Sequence, residues 1–397
     1  MEEWKEYKLS NLALINKNTY SEKEDFKFIN YLDTGSITKN KIENIQRINL
    51  EYEKLPSRAK RKVNINDIVY STVRPNQLHY GIIKNVLDNF LVSTGFAVIS
   101  VNPEMSDADF IYYYLTQDNI TKELHAIAEQ STSAYPSIKP SDLGNLEIKI
   151  PLLEEQKKIS KILSCLDNKI ELNNKINENL EQQAQSIFKS WFKKEIENIE
   201  SKKQFLGDLV EIIDNRGKTP PSKTEETLYP IIDVAALKNN GRIIDYENCT
   251  KYISEDTYNT FFRAGHPKLN DILLSTVGSL GQMKFFMGNK GCIAQNVVAL
   301  RTKISPYYMY EYLKYIKQDL LAYDIGSVQP SIKITHIIKH PIYVPETQYL
   351  EKFDQIARPI TEQIYNLSCE NEDLKKLRDS LLPKLMSGEI DVSSIEV

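Results

Sequence analysis

The chain has 397 residues, a formal net charge of −4 at pH 7, 41% hydrophobic residues and 26% charged residues, a composition typical of ordinary globular proteins. That length predicts two or three domains, each large enough for a core of its own. We expect no membrane span, because no run of about 18 apolar residues is present.

The first ten residues, MEEWKEYKLS, are polar and unlike a signal sequence, and the four cysteines form no CxxC pair. These features favour a reducing cytoplasm and argue against a zinc site or a disulfide framework. The acidic excess lies largely in the segment from residue 346 onward, which has 6 basic and 11 acidic residues. The overall net charge is therefore compatible with a basic face on another part of the chain.

Strand and helix signals mix in the first part of the chain. Segments 25–33, 67–73 and 90–101 are rich in β-branched and aromatic residues and are bounded by turn residues, which predicts strands. Segment 107–128 predicts a pair of helices.

Two phrases of the sequence occur twice. NDIVYSTV at 66–73 returns as NDILLSTV at 270–277, and PSIK at 136–139 returns at 330–333. The landmarks keep their order while the offset drifts between 194 and 204, as expected if loops change length and elements do not. The sequence therefore predicts a tandem duplication of about 200 residues.

A long helix is predicted after Pro151, because 152–192 contains no glycine or proline and many helix-forming residues. Its apolar positions alternate in steps of four and three, the heptad pattern of a coiled coil. The predicted seam consists of Ile159, Leu163, Leu166, Ile170, Asn173, Asn177, Leu180, Ala184, Ile187 and Trp191.

A second seam lies 194 positions later. It consists of Phe353, Ala357, Ile360, Ile364, Leu367, Asn371, Leu374, Arg378, Leu381 and Leu385. We expect a kink at Pro359. Asn177 and Asn371 share one repeat position, where a polar residue penalises wrong registers; the alternative is a solvated gap.

Two such helices are predicted to pack antiparallel, with one globular half at each end of a rod roughly 60 Å long. The predicted fold class is α+β: two related mixed α/β domains joined by two long antiparallel coiled-coil helices, with a pseudo-two-fold internal repeat. The predicted boundaries are 1–150 for the first globular domain, 151–200 for the first helix and its charged linker, 201–345 for the second domain and 346–397 for the second helix.

Segments of the chain resemble the specificity (S) subunit of type I restriction-modification systems. The stretch 151–192 resembles the central helical region of that family, and LLPKLMSGEI at 381–390 resembles the end of its second helical region. STVRPNQ at 71–77, DNRGKTPP at 214–221 and LSTVGSLGQ at 274–282 resemble phrases of its target-recognition domains. The resemblance covers essentially the whole chain, but recognition domains vary widely, so base-contacting residues do not carry over.

The resemblance implies that each globular domain reads one half of a bipartite double-stranded DNA site. The helices would set the spacer between the half-sites and dock two methyltransferase (M) subunits, which methylate adenine with S-adenosylmethionine. Restriction (R) subunits would add ATP-driven translocation and cleavage. The chain itself would be a non-catalytic specificity subunit without a cofactor.

The polar loops after the repeated strand are the best local candidates for DNA contact. Planar donor and acceptor side chains can read base edges, and cations bind phosphates. The candidates are Arg58, Lys60, Arg61 and Lys62 for phosphates, Arg74, Asn76, Gln77, His79, Ser279, Gln282 and Lys284 for DNA contact from these loops, and Tyr135 and Gln329 in segments flanking the domain–helix junctions. In each case the alternative is an ordinary solvated loop.

Motifs that would carry chemistry are incomplete. RGKT at 216–219 lacks the glycine that a phosphate loop needs at position 212, and SPYY at 305–308 lacks the second proline of an amino-methyltransferase motif. His336 and His340 have an i, i+4 spacing suited to a metal, but no third ligand is placed nearby. We therefore expect no catalytic residue and no metal site.

Two alternatives stay open. One is a fused restriction and methylation enzyme, which cofactor binding by the isolated protein would favour. The other is a scaffold whose duplicated domains bind protein, which a gel-shift assay with a methyltransferase partner would separate from a DNA-binding subunit.

Overall fold

The structure is a computed structural model that describes residues 4–131, 135–197, 203–293, 295–326 and 328–395. The chain divides into two compact units. Unit 1 comprises residues 1–168 and 374–397, and unit 2 comprises residues 169–373.

Unit 1 contains a mixed set of strands and short helices before the first long helix. Its strands are β1 (Lys5–Lys8), β2 (Ala13–Ile15), β3 (Phe28–Leu32), β4 (Ile37–Thr38), β5 (Lys41–Ile42), β6 (Gln46–Asn49), β7 (Ala59–Lys62), β8 (Ile68–Ser71), β9 (Tyr80–Ile82), β10 (Phe90–Ser93), β11 (Phe96–Val101) and β12 (Glu147–Ile150). Its helices are α1 (Leu9–Leu12), α2 (Ala108–Leu115), α3 (Asp118–Glu129) and α4 (Pro140–Gly144), followed by α5 (Leu153–Glu197), which continues into unit 2.

Two sheets form the body of unit 1, with strand orders β2-β11-β8-β9 and β6-β3-β10-β7. Strand β8 is buried on both faces: Ile68 and Tyr70 pack into the core that includes α1 and α2, whereas Val69 faces a second core with Phe90 and Val92. Burial on both faces explains why this strand is a continuous apolar run in the sequence.

Unit 2 repeats this plan with fewer strands. Its strands are β13 (Lys203–Phe205), β14 (Val210–Ile213), β15 (Ile231–Ile232), β16 (Ile272–Ser275), β17 (Met283–Phe285), β18 (Cys292–Ile293), β19 (Val297–Thr302) and β20 (Pro341–Tyr343). Its helices are α6 (Leu206–Leu209), α7 (Glu255–Thr260), α8 (Pro306–Tyr315), α9 (Lys317–Leu321), α10 (Ile334–Ile337) and α11 (Thr347–Met386), the last of which continues into unit 1.

The internal repeat is visible in the sheet topology. The order β14-β19-β16-β17 in unit 2 matches β2-β11-β8-β9 in unit 1. The parallel pair β15–β18 matches β3–β10, and the antiparallel pair β13–β20 matches β1–β12. The predicted pseudo-two-fold repeat and its mixed α/β domains are confirmed.

The two long helices are antiparallel where they pack together inside unit 2. Asn173 Nδ2 donates to Asn371 Oδ1 at 2.9 Å, and Asn177 Nδ2 donates to Ser368 Oγ at 3.4 Å. The partner numbers fall along α11 as they rise along α5, which requires opposite helix directions. The predicted antiparallel helices are confirmed, and α11 continues through Pro359.

Asn177 and Asn371 share a repeat position but are not partners. Asn371 contacts Asn173, and it donates to Asn174 Oδ1 at 2.9 Å. Antiparallel helices bring equal repeat positions opposite each other only at the midpoint of the pair. The polar layer therefore consists of Asn371 with Asn173 and Asn174, and not of Asn371 with Asn177.

The buried stripe of α5 follows the predicted seam at first and leaves it near the end of the helix. Of the first-seam residues, Ile159, Leu163, Ile170, Asn173 and Ala184 are buried, Leu166, Asn177, Leu180 and Ile187 are half-buried, and Trp191 is 37% exposed. Of the second-seam residues, Phe353, Ala357, Ile364, Asn371 and Leu385 are buried, and Ile360, Leu367, Leu374, Arg378 and Leu381 are half-buried.

Phe188 and Phe192 take the buried positions where the heptad pattern selected Ile187 and Trp191. Their ring centroids lie 5.5 and 5.1 Å from that of Tyr308 on α8. A straight helix has 3.6 residues per turn, so its buried face drifts from a strict 3.5-residue repeat, and near the end of α5 that face passes through Phe188 and Phe192, which pack against α8.

Among the helices of the described residues, none combines the length and the apolar character needed to cross a membrane.

Candidate nucleic-acid interface

The two repeated phrases of the sequence are hydrogen-bonded to each other in unit 1. The backbone N–H of Ile138 donates to the carbonyl of Thr72 at 2.9 Å, and the N–H of Arg74 donates to the carbonyl of Pro136 at 2.8 Å. Residues 73 and 137 form an isolated antiparallel bridge between these contacts. We call the paired segments 72–74 and 136–138 clip 1.

Unit 2 contains the same arrangement. The N–H of Ile332 donates to the carbonyl of Thr276 at 2.9 Å, and the N–H of Gly278 donates to the carbonyl of Pro330 at 2.9 Å. Residues 277 and 331 form the matching bridge. We call segments 276–278 and 330–332 clip 2. The two phrases recur together because their main-chain pairing recurs.

A serine at the end of the repeated strand starts the turn into each clip. Ser71 Oγ donates to the carbonyl of Val73 at 2.9 Å, and Ser275 Oγ donates to the carbonyl of Ser279 at 2.6 Å. The chain then enters the left-handed region, with φ of 48° at Arg74 and 81° at Gly278. Glycine adopts this conformation readily, whereas arginine there is uncommon.

Clip 1 brings together two residues that the sequence predicted separately. The guanidinium carbon of Arg74 lies 4.9 Å from the ring centroid of Tyr135, whose side chain is 58% exposed. A guanidinium over an aromatic face is attracted by the ring's quadrupole. The charged group of Arg74 therefore lies against an exposed aromatic ring beside clip 1.

The corresponding positions of clip 2 carry Gly278 and Gln329. A Cβ placed on Gly278 would lie 3.5 Å from Gln329 Nε2, so this amide occupies the place next to the clip that Tyr135 occupies in clip 1. Gln329 is exposed. The two clips thus share a main chain and differ in the side chains they present.

The loop after clip 1 presents Asn76 and Gln77 to solvent on a short 3-10 helix, Pro75–Gln77. His79 is half-buried, and its Nδ1 lies 2.6 Å from the carbonyl oxygen of Ile37 and 3.2 Å from the hydroxyl oxygen of Thr38. One ring nitrogen of His79 therefore ties the loop to β4, and the amides are the more accessible groups.

The cationic cluster on and beside β7 divides into exposed and engaged members. Arg58 and Lys60 are exposed. Arg61 is half-buried and donates to Thr19 Oγ1 at 3.4 Å, and Lys62 forms an ion pair with Glu24. Arg58 and Lys60 are therefore the members best placed to meet a phosphate.

The prediction that Lys284 contacts DNA is wrong. Its side chain is fully buried in β17, and Nζ donates to the carbonyl of Asn239 and, at 2.7 Å, to that of Gly241. Burial lowers the pKa of Lys284 to about 8. Ser279 and Gln282, predicted with it, are half-buried in the loop after clip 2.

A buried ionic cluster in unit 2 was not predicted. Arg242 is fully buried and donates to Glu181 on α5, to Glu311 on α8 and to Thr361 on α11. Burial raises the pKa of Glu181, but the guanidinium of Arg242 and the ammonium of Lys314 outweigh this effect and bring that pKa to about 2. This cluster fastens both long helices to the globular part of unit 2.

Unit 1 uses a different polar contact at the corresponding helix surface. Arg378, which interrupts the apolar pattern of the second seam, donates to Asp167 on α5 at 2.7 Å. The same carboxylate accepts a hydrogen bond from the hydroxyl of Tyr113 on α2 at 2.7 Å.

The motifs that suggested chemistry have structural roles. The hydroxyl of Ser305, in SPYY, accepts a hydrogen bond from the N–H of Tyr308 at 3.0 Å and caps α8. His340 is buried, and its Nδ1 lies 3.0 Å from the hydroxyl of Tyr323. Within the described ranges, His, Cys, Asp and Glu residues form no group that could hold a metal ion.

Comparison with known proteins follows the same twofold division. The family model described as "Type I restriction modification DNA specificity domain" matches residues 1–182 and again residues 198–367. The HindI specificity subunit of Haemophilus influenzae is 28% identical over 470 residues, covering 98% of this chain and 100% of that protein.

Further similarities agree with this match. The MjaIX specificity subunit of Methanocaldococcus jannaschii is 28% identical over 314 residues, covering 72% of this chain and 70% of that protein. The crystal structure of the type I restriction-modification S subunit from M. genitalium is 19% identical, covers 96% of both chains and has a TM-score of 0.57, which indicates a similar fold.

Proposed function

Because the chain belongs to the family of type I restriction-modification DNA specificity domains, we propose that it is the sequence-specific DNA-recognition subunit of such a complex. The globular part of each unit reads one half of a bipartite double-stranded site. The chain is a specificity subunit and not a catalytic one; methylation of adenine and cleavage of DNA belong to partner subunits.

The pair of clips is the observation that supports this function best. Both clips have the same main-chain hydrogen bonds and a left-handed backbone conformation at the same position. They differ in side chains, with Arg74 and Tyr135 in one unit and Gly278 and Gln329 in the other. An asymmetric bipartite target has two different half-sites. Two clips with the same main-chain structure and different side chains suit such a target, because bases are distinguished by the donors and acceptors that contact their edges.

We assign the spacer and the docking of partners to the long helices. Apolar side chains on their outer faces support the docking role: α5 exposes Leu172, and α11 exposes Ile356 and Leu377. The proposed partners are two methyltransferase (M) subunits, with restriction (R) subunits joining them. The proposed location is the cytoplasm, where bacterial and archaeal DNA is accessible.

Partner subunits are also needed for tight binding. The net charge of −4 supplies little attraction for phosphates, and phosphate contacts provide most of the non-specific affinity of DNA-binding proteins. We expect the isolated chain to bind DNA weakly at physiological salt and the complex with M subunits to bind one bipartite site tightly. Full specificity in the isolated chain would contradict this part of the proposal.

Methylation mapping tests the function directly. The chain and its M partner are expressed in a host without adenine methylation, and methylated adenines are located by sequencing. We expect one bipartite motif that disappears when either protein is omitted. Exchanging residues 1–150 for those of a relative should change one half of the motif only. Absence of any methylated motif, or a change in both halves, would refute the assignment.

A further inference from the structure

We propose that Arg74 reads a guanine in the half-site bound by unit 1, and that Tyr135 holds its guanidinium in the reading orientation. This inference rests on the proposed function and adds a base and two residues to it.

The side chain of Arg74 lies over the ring of Tyr135 and forms no ion pair with the residues that the structure describes. Its backbone N–H is used by clip 1, its φ of 48° turns the residue out of the strand path, and its guanidinium carbon lies 4.9 Å from the Tyr135 ring centroid. Across the described ranges, no carboxylate lies within ion-pair distance of Arg74. Within the described ranges the guanidinium is thus positioned by the Tyr135 ring and not by an ion pair, which fits a group that meets a partner such as DNA.

Guanine is the base that this group fits. In the major groove guanine presents two acceptors, O6 and N7, and the planar fork of arginine donates to both at once. A lysine at the same place could contact a phosphate but could not make the paired contact, because its ammonium is a single point of charge. Contact with the Tyr135 ring would limit the rotation of the guanidinium before DNA binds, which lowers the entropy cost of the base contact.

The neighbouring residues agree with a base-reading role. Asn76 and Gln77 lie exposed within three residues of Arg74, and their amides have the donor and acceptor pair that suits adjacent bases. Clip 2 has Gly278 at the position of Arg74, so it presents no guanidinium there. The guanine requirement is therefore expected in the half-site of unit 1 and not at the equivalent position of the other half-site.

The first test uses variants of the full chain in complex with its M partner. Exchange of residues 1–150 first identifies which half of the methylated motif belongs to unit 1. In Arg74→Lys, which keeps the charge, we expect discrimination at one guanine of that half-site to fall roughly 10- to 100-fold while every other position is retained. Tyr135→Ala should relax the same position, and Tyr135→Phe, which keeps the ring face, should not.

Arg47→Lys is the matched control, because it changes an exposed arginine of the same unit that also lies over an aromatic ring, 4.4 Å from the centroid of Phe28, and it should leave the motif unchanged. If unit 1 reads a half-site without guanine, the inference is wrong. It is also wrong if Arg74→Lys leaves the motif intact, or if it weakens methylation equally at all sites, as loss of a phosphate contact or of folding would.

A second test needs no variant to fold. Binding of the wild-type complex is measured on a target whose guanine is replaced by 7-deazaguanine, which lacks the N7 acceptor. We expect roughly tenfold weaker binding at the guanine read by Arg74, and no such loss at guanines outside the two half-sites. Equal binding of the two targets at every guanine of the half-site would overturn the inference while leaving the proposed function in place. If the wild-type complex methylates no motif at all, the proposed function fails instead.

Discussion

Arg242 is joined to Glu181 by two nitrogen–oxygen contacts of 2.9 and 3.0 Å, and the arginine side chain is fully buried. The same guanidinium donates to Glu311 and Thr361, each at 2.8 Å. A buried charge is tolerated only when it is paired and hydrogen-bonded, and here every partner comes from a different element. One arginine therefore sets the position of the globular part of unit 2 on both long helices.

Replacing Arg242 with methionine should destabilise unit 2. The variant would leave Glu181 and Glu311 buried without their main cation, and breaking a buried pair from one side costs about 3–5 kcal/mol. Denaturant-induced unfolding of the full chain measures the change. Arg263→Met, which removes an exposed arginine of the same unit, is the control and should have little effect. Equal midpoints for the two variants would show that the cluster does not stabilise the fold.

Lys284 should make stability depend on pH in mild alkali. Burial lowers its pKa from 10.5 to about 8, so the folded chain binds this proton more weakly than the unfolded chain. The neutral amine of Lys284 is favoured in the folded chain. The resulting contribution to the free energy of unfolding is complete above pH 10.5 and is lost as the pH falls through 8. The free energy of unfolding of the wild type minus that of Lys284→Met should therefore rise by about 1–3 kcal/mol between pH 7 and 10. A difference that stays constant would contradict the shifted pKa.

Asn173 and Asn371 should be strongly coupled. Asn371→Leu alone removes a partner from buried Asn173, whose Oδ1 already has no hydrogen-bond partner among the described atoms, and should cost about 1–3 kcal/mol. Replacing both residues with leucine removes donor and acceptor together and should recover most of that cost. A double-mutant cycle of unfolding free energies measures the coupling. Additive single effects would show that the pair does not act as one polar layer.

The long helices should set the spacer of the DNA site. Inserting four residues after Lys175 in α5 and four after Cys369 in α11 lengthens each helix by about 6 Å, near one turn. B-DNA rises 3.4 Å per base pair along a strand, so the spacer in the methylated motif should lengthen by about one or two base pairs.

Insertion in α5 alone is the control for this double variant, because it puts the Asn173–Asn371 contact out of register with the Asn177–Ser368 contact and should be tolerated less well. An active double-insertion variant with an unchanged spacer would show that helix length does not determine the spacing.

The parts of the fold that the sequence predicted are those with a local or repeated signal. The heptad pattern from Ile159 to Ala184 was sufficient to place the long helix, because its apolar period extends over many turns. The repeated phrases around Thr72 and Thr276 could be recognised because the same strand and clip occur in both units with similar sequences.

The remainder depended on contacts between distant segments. Arg242 meets Glu181 and Thr361 across 61 and 119 residues, and no local pattern marks such a pairing. The sequence placed Lys284 in a polar loop, but β17 begins at Met283. The side chain of Lys284 therefore points from this strand toward the carbonyls of Asn239 and Gly241. The sequence shows that Arg242 and Lys284 are charged, but their partners are determined by the tertiary structure.

Both clips are held by N–H and C=O groups, so their hydrogen bonds do not depend on which side chains stand at positions 74, 135, 278 and 329. The one restriction is the positive φ at 74 and 278, which excludes β-branched residues more strongly than others. Under the proposed function, point substitutions at these positions would change the bases that are recognised while the main-chain hydrogen bonds of each clip are kept. One half-site could then change over evolution while the other stays the same, because each clip belongs to a different unit.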